Sequence, residues 1–501
     1  MTKHHNKDIV EDIDEKPAET PSNNHLSKDE TITAVLEVNG YGRESRRGSR
    51  RFSRRFSEPD FANDIERVRY ISELTEEGEK KFNRLTWKQL VIILIVCAVA
   101  LGTLSMPLVF AMLGMIGGTI LTVGMGCLAV LTSYYIGQVK LKFPQVIHYS
   151  DVGRLLLPGR AGEILTKILQ FIFVFFVMLG VAAHFLTGKQ AFTTIVGDKS
   201  ICQLVWSVIT LVLLFICSLP PSFSEMAILG YIDFASIMTA VLVTLIATGI
   251  SAHKVNWETG WSAYPPEGLS FSYGMIAASN VLFAYAFSIC QFSFMEEMAE
   301  PSDFPKAIVV LGGAMIVIYT LTGALGYAFI GPDVKGPALL SAGPKVSRIA
   351  FGLALPVIFI SGAILVTTIG RFVMDHAYKN SIVRYVNTAR GWVTWISIVL
   401  VTILVAWIVA EAIPVFSSLL SITASLFNSG FTLYLPALMW FVLLREGGCF
   451  SSAKNIGLTI LNGFIIICGL ILLGAGTWAS VDDIVSTYKG GKAIGRPFSC
   501  H

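Results

Sequence analysis

Three stretches of this chain put polar or backbone-freeing residues where an apolar setting would give them unusual chemistry. The first is Gly102-Thr-Leu-Ser-Met-Pro107, inside a long apolar run. Proline removes a backbone donor and collides with the carbonyl four residues back, while Gly lets the backbone turn. The N–H and C=O groups freed this way are tolerable at membrane depth only when buried in protein or lining a cavity. A helix broken like this can present half-helix dipoles to an ionic or zwitterionic ligand; the alternative is a plain proline kink used for packing. The second stretch, 280–298, carries Phe283, Tyr285 and Phe287 but no Gly or Pro at its centre, so nothing in its own residues breaks it. The third is a scattered set of polar groups at depth: Asp233, His184, Asn280, Gln291 and Asn428. An ionisable residue in lipid is costly and marks function by default. Asp233 is a functional carboxylate on that reading, or a near-interface acid reached by water. His184, near the outer end of its span, reads as interfacial, and Asn280 and Gln291 as hydrogen-bond cross-links between helices.

Composition says what must position these residues. The chain of 501 residues is 53% hydrophobic and only 15% charged, against roughly 25% charged in ordinary soluble chains. Residues 1–89 hold 35 of the 73 Asp, Glu, Lys and Arg, which leaves 38 for the remaining 412 positions. So few charges cannot solvate a globule of that size, whereas lipid needs no such cover. Apolar runs long enough to cross roughly 30 Å of hydrocarbon fall near 90–110, 115–137, 168–187, 201–219, 226–251, 273–295, 307–331, 349–370, 391–410, 414–442 and 456–478. The expectation is an all-α integral membrane protein with eleven transmembrane helices, holding Asp233 as the one acidic residue within a span and neither Lys nor Arg. Continuous rather than alternating hydrophobicity excludes a barrel.

The chain divides into a tail (1–89), a transmembrane region (90–478) and a short C-terminal tail (479–501). From residue 67 onward, Lys and Arg number eighteen on the side of the N-terminal tail and nine on the other, which predicts a cytosolic N-terminus and a non-cytosolic C-terminus. The tail is polar and lacks apolar periodicity, and reads as disordered. Its segment 43–57 contains seven arginines with Arg-Arg-x-Ser spacing, suited to an anionic leaflet or to a basic-directed kinase; a solvated tail without a partner is the other reading. Of the eight cysteines, only Cys202 and Cys500 could meet on an external face. No zinc-type Cys/His pairs, phosphate-cradling loop or Gly-x-Ser-x-Gly turn occurs, and His4-His5 alone defines no metal site. The sequence predicts no enzyme, no cofactor and no nucleic-acid partner.

Gly102–Pro107 resembles the Gly-x-Gly-x-Leu-x-x-Pro signature of the amino acid/auxin permease family, with Ala100 or Thr103 where the family often has Gly. Phe283–Phe287, followed by Glu297-Met298, Pro301, Phe304 and Lys306, is similar to that family's sixth helix and its exit. The loop Pro220-Pro-Ser-Phe-Ser-Glu-Met226 and the stretch Cys290-Gln-Phe-Ser-Phe294 look most like fungal neutral amino acid permeases of the methyltryptophan-resistance or N-system type. The likeness runs from about residue 80 to 480.

The resemblance implies a five-plus-five inverted repeat with broken helices 1 and 6 plus one extra helix, and proton-coupled uptake of amino acids driven by the proton gradient. Substrate would lie between Gly102, Thr103, Leu104 and Ser105 on one side and Phe283, Ala284, Tyr285, Ala286 and Phe287 on the other. Its carboxylate would meet freed N–H groups of the first helix, and its ammonium the carbonyls of the sixth. Without a charged partner near that pocket, neutral aliphatic and aromatic amino acids are the expected substrates. Asp233 and His184 are the proton-coupling candidates. An amino acid sensor on the same fold and a vacuolar exporter remain alternatives; the subgroup resemblance favours the plasma membrane.

Overall fold

A computed structural model of the chain describes residues 73, 85–198, 200–254, 260–378, 381–413, 415–489 and 498. The segment 43–57, His4-His5 and Cys500 lie outside the described residues. The chain divides into units 1–73 and 74–501, and the second holds the helical bundle. Among the described residues every element is helical, apart from one isolated β-bridge between Leu85 and Met298.

The first helix, α1 (Trp87–Lys142), starts on a reciprocal cap in which Thr86 Oγ1 accepts from the Gln89 N–H and the Gln89 side chain accepts from the Thr86 N–H. At 56 residues it is well over twice what a bilayer needs. The backbone leaves the helix once, at Gly114 (φ 73°, ψ 170°), dividing arms 87–113 and 115–142. A side chain there would be strained by the positive φ and would meet the Tyr264 carbonyl oxygen at 2.5 Å. Loop residues Ser262 and Ala263 take up the Met115 and Ile116 N–H groups freed by the turn.

Next come α2 (Gly159–Val196), α3 (Gln203–Cys217) and α4 (Phe223–Lys254). A bent pair comes after them: α5 (Phe271–Ala284) and α6 (Gln291–Glu296), joined through Tyr285 and a 3-10 turn, Ala286–Cys290, with a 41° bend. Beyond it lie α7 (Phe304–Ile330), α8 (Pro344–Ala377) and α9 (Ala389–Ala412). Helix α10 (Phe416–Thr423) continues as a π-helix, Ala424–Tyr434, into α11 (Leu435–Met439). The described helices end with α12 (Ala453–Ile471) and α13 (Thr477–Lys489). The arm 87–113 is the centre of the bundle: Ile93, Val96, Val99, Leu104 and Met106 are all buried, and α1 packs on α4, α5, α7 and α8. Large apolar side chains that remain exposed, such as Phe171, Ile246, Val309 and Ile460, form the outward faces of the helices, as lipid contact requires.

Eight described helices are long and apolar enough to cross a membrane, nine if the bent pair counts as one span. The apolar runs predict eleven. The difference lies in α1, which joins the first two expected spans, and in α3, which is only 15 residues long. Helices also run beyond the expected apolar limits, so Lys140, Lys189, Arg371, Asp375 and Glu411 lie on spanning helices rather than in loops. These five lie toward the helix ends, outside the expected apolar limits that hold Asp233.

The expected break in helix 1 is absent. Residues 102–107 are helical, with Pro107 inside the helix. A single proline removes one hydrogen bond, the one to the Thr103 carbonyl, which leaves the turns on either side intact; Ser105 Oγ also donates to the Gly102 carbonyl at 2.8 Å. The break in helix 6 is present, at Tyr285 (φ −97°, ψ 26°).

Candidate functional site

The break at Tyr285 is made by other helices. Tyr319 Oη of α7 donates to the Ala284 carbonyl at 2.9 Å, and Asn428 Nδ2 donates to the Leu282 carbonyl at 2.7 Å. Tyr285 Oη donates to the Thr122 carbonyl in the second arm of α1 at 3.0 Å. Side chains thus take up backbone carbonyls at membrane depth, as a water-free setting requires.

Beside the break lies a cavity of about 50 Å³, room for a few waters on a measure where one needs roughly 10–15 Å³. The bent pair contributes Phe283, Ala286, Phe287, Ile289, Cys290 and Phe294. Helix α1 adds Leu94 and Ala98, α2 adds Phe176, Val177 and Gly180, and α8 adds Leu365. No lining side chain is charged. Of the residues the sequence predicts, Phe283, Ala286 and Phe287 line this cavity. Ala284 and Tyr285 do not line it: the Ala284 Cβ faces Gly102 and its carbonyl meets Tyr319 of α7, while Tyr285 Oη reaches the second arm of α1. Thr103 and Leu104 line a separate crevice of about 10 Å³ with Pro107, Thr244 and Thr322. Gly102 does meet the sixth helix, though by proximity: a Cβ there would lie 2.9 Å from Ala284 Cβ and 2.8 Å from Tyr319 Oη. The first-helix side of the cavity lies instead at Leu94 and Ala98, plain apolar residues that carry no signal in the sequence.

Asp233 is fully buried on α4 and is not open to water. Its Oδ2 accepts from Ser361 Oγ of α8 at 2.9 Å, and the same hydroxyl lies 3.1 Å from the Val96 carbonyl of α1. Asp233 Oδ1 has no partner among the described residues. His184, expected at the interface, is buried within α2 against Gly362 of α8, because α2 continues to Val196 and places it well inside the span. Its Nδ1 is likewise without a partner among the described residues. Asn280 and Gln291 do cross-link helices, through Ser417 Oγ (3.0 Å) and the Ser133 carbonyl (2.7 Å).

Two ionic clusters close the ends of the bundle. At the end that holds Leu85, Lys140 Nζ donates to Glu296 Oε2 at 2.6 Å and to the Val146 carbonyl. Close by, Asp375 accepts from Arg371 (3.4 Å) and Arg384 (2.5 Å) and lies 3.1 Å from His148 Nε2, whose other ring nitrogen meets Ser293 Oγ. Burial pulls the Arg384 guanidinium pKa down, but the Asp375 carboxylate outweighs it and holds the value above the ordinary one. At the opposite end, Glu411 accepts from Lys189 (2.9 Å) and Ser207 (2.6 Å), and Trp407 Nε1 donates to Ser207. Cys202, beside this cluster in sequence, is disulfide-bonded. None of these ion pairs is legible in the sequence, because they depend on helix ends longer than the apolar runs and on loops folded against them.

The family profile described as "Transmembrane amino acid transporter protein" matches residues 83–482. An N amino acid transport system protein of Neurospora crassa is 48% identical over 429 residues, 85% of this chain and 90% of that protein. A transmembrane transporter of Gibberella moniliformis is 26% identical over 447 residues, 85% and 92% of the two chains. Amino acid transporter AVT3C of Arabidopsis thaliana is 24% identical over 216 residues, 41% of this chain and 45% of that one.

Proposed function

The chain belongs to the transmembrane amino acid transporter family, and from that premise we propose that it is not an enzyme but a proton-coupled symporter of neutral aliphatic and aromatic amino acids. The observation that carries the substrate class is the cavity at the break in helix 6, whose walls offer aromatic and aliphatic side chains and no ion. A charged side chain would arrive there unpaired, which a low-dielectric site disfavours by several kcal/mol. The substrate lies against Phe283, Ala286 and Phe287, and its carboxylate is met by N–H groups of 103–105 when the first helix opens at Gly102 and Pro107 during the cycle. The fold follows the five-plus-five inverted repeat. The excess of Lys and Arg on the tail side supports a cytosolic N-terminus, and the resemblance of Pro220–Met226 and Cys290–Phe294 to fungal neutral amino acid permeases favours the plasma membrane. A kinase acting on 43–57 would regulate it.

Coupling is assigned to Asp233. Ser361 has one hydroxyl hydrogen and two acceptors within reach, the Asp233 carboxylate and the Val96 carbonyl. While Asp233 is ionised, that hydrogen goes to the carboxylate. Once protonated, Asp233 donates to Ser361 Oγ, and the Ser361 hydrogen passes to Val96. A proton on α4 thereby changes a bond to α1 midway between Leu94 and Ala98, which line the cavity. His184, buried but without a hydrogen-bonded link to α1 among the described residues, is the second candidate.

Vesicle uptake tests the reading. Labelled Leu or Phe should accumulate against its gradient under an inward proton gradient, with neutral amino acids competing and Lys and Glu not. Asp233→Asn, fixed in the neutral form, should retain exchange, lose accumulation and lose acid stimulation. Wild-type accumulation in that variant removes Asp233 from the coupling step.

A further inference from the structure

The two halves of the bent span are joined by side chains that run through the π-helix 424–434. Asn428 Nδ2 donates to the carbonyl of Leu282, in the last turn of α5, at 2.7 Å. Thr432 Oγ1 donates to Asn428 Oδ1 at 2.6 Å, and Ser288 Oγ, on the far side of the break, lies 2.7 Å from Thr432 Oγ1. Donor arithmetic fixes the direction. A carbonyl only accepts, so Asn428 turns its amide nitrogen to Leu282 and its oxygen to Thr432. That oxygen also only accepts, so Thr432 commits its one hydrogen there and accepts from Ser288, for which it is a closer acceptor at 2.7 Å than the Phe431 carbonyl at 3.5 Å. The sequence Ser288 to Thr432 to Asn428 to Leu282 therefore closes a ring around Tyr285, with all four residues fully buried. The helix that supplies it departs from α-geometry over these same positions, a departure that is uncommon and concentrated at functional sites.

We propose that Asn428 and Thr432 are positioning residues for transport: they set the bend between α5 and α6 and hold Phe283, Ala286 and Phe287 in one geometry against the substrate. This rests on the reading of the cavity as the substrate site. With the ring closed, both halves of the span follow the π-helix as one body. With it open, the turn 286–290 and α6 move without α5.

Cys290 gives a readout that needs no transport. It is a free cysteine on the turn 286–290, lines the cavity and is 5% exposed. Its labelling by a membrane-permeant maleimide is measured on the full chain in membrane vesicles, as the difference from a Cys290→Ser control. Thr432→Val keeps the shape and removes the hydroxyl, and should raise Cys290 labelling about fivefold, the equilibrium factor carried by one net buried hydrogen bond. Thr432→Ser should restore the wild-type rate. In uptake assays Thr432→Val should raise KM by a similar factor with a smaller change in maximal rate. Unchanged labelling in Thr432→Val, or a Thr432→Ser variant that labels as fast as Thr432→Val, overturns the proposal. Where Thr432→Val fails to reach the membrane, Ser288→Ala opens the same ring from the other helix, and an unchanged rate there is equally decisive. If the wild type moves no neutral amino acid while labelling still responds to Thr432, the substrate reading falls and the ring stands.

Discussion

Gly102 sits where two helices cross without room for a side chain. A Cβ would come within 3.0 Å of the Ala284 backbone as well as of Tyr319 Oη, and Tyr319 is the residue that holds the Ala284 carbonyl at the break. Gly102→Ala should therefore lower uptake severalfold and Gly102→Leu abolish it, with both proteins still present in the membrane by surface labelling. Normal transport by Gly102→Leu would remove this crossing from the mechanism. The sequence points to Gly102 for a different reason, since Gly followed by Pro reads as a backbone turn. What it cannot register is that the space around the residue, supplied by α5 and α7, demands a glycine even in a straight helix. Ser361 escapes a sequence reading for a related reason: a lone serine in an apolar helix is unremarkable until Asp233 and Val96 are seen on either side of it.

At the scale of elements, the legible turn is the one with a local cause. Gly114 stands between two apolar runs, and the structure ends the first arm of α1 there with a positive φ. Gly114→Ala should destabilise the protein by about 1–3 kcal/mol, more if the 2.4–2.5 Å approach to the Tyr264 backbone cannot relax. A lowered thermal midpoint in detergent, with little change in KM, is the expected result. The break at Tyr285 has no local cause at all. It is imposed by Tyr319, Asn428 and Thr122, from 34 to 163 positions away in the chain; family resemblance points to its position, and no Gly or Pro does. The π-helix 424–434 is invisible for the same reason, because its residues are ordinary helix-compatible types and only their long-range bonds distinguish the register.

For the molecule as a whole, the ionic clusters mark the two ends that must open in turn if α1, α4, α5 and α8 are to expose a cavity alternately. Asp375 is the hub of one end, 8% exposed and shared by Arg371, Arg384 and His148. Asp375→Asn leaves buried cations without their carboxylate, a loss of about 3–5 kcal/mol for a buried pair, and should lower the thermal midpoint and raise leak of substrate at that end; an unchanged midpoint would show the cluster to be well hydrated. The same end holds the bridge in which the Leu85 N–H donates to the Glu297 carbonyl and the Ala299 N–H donates to the Leu85 carbonyl. Leu85 leaves the ribosome more than two hundred residues before these partners do. At about 5–20 residues per second, the first helix waits roughly 10–40 s before its leading end can be tied. During biogenesis the leading end of the first helix can thus be tied down only on a molecule already more than half made.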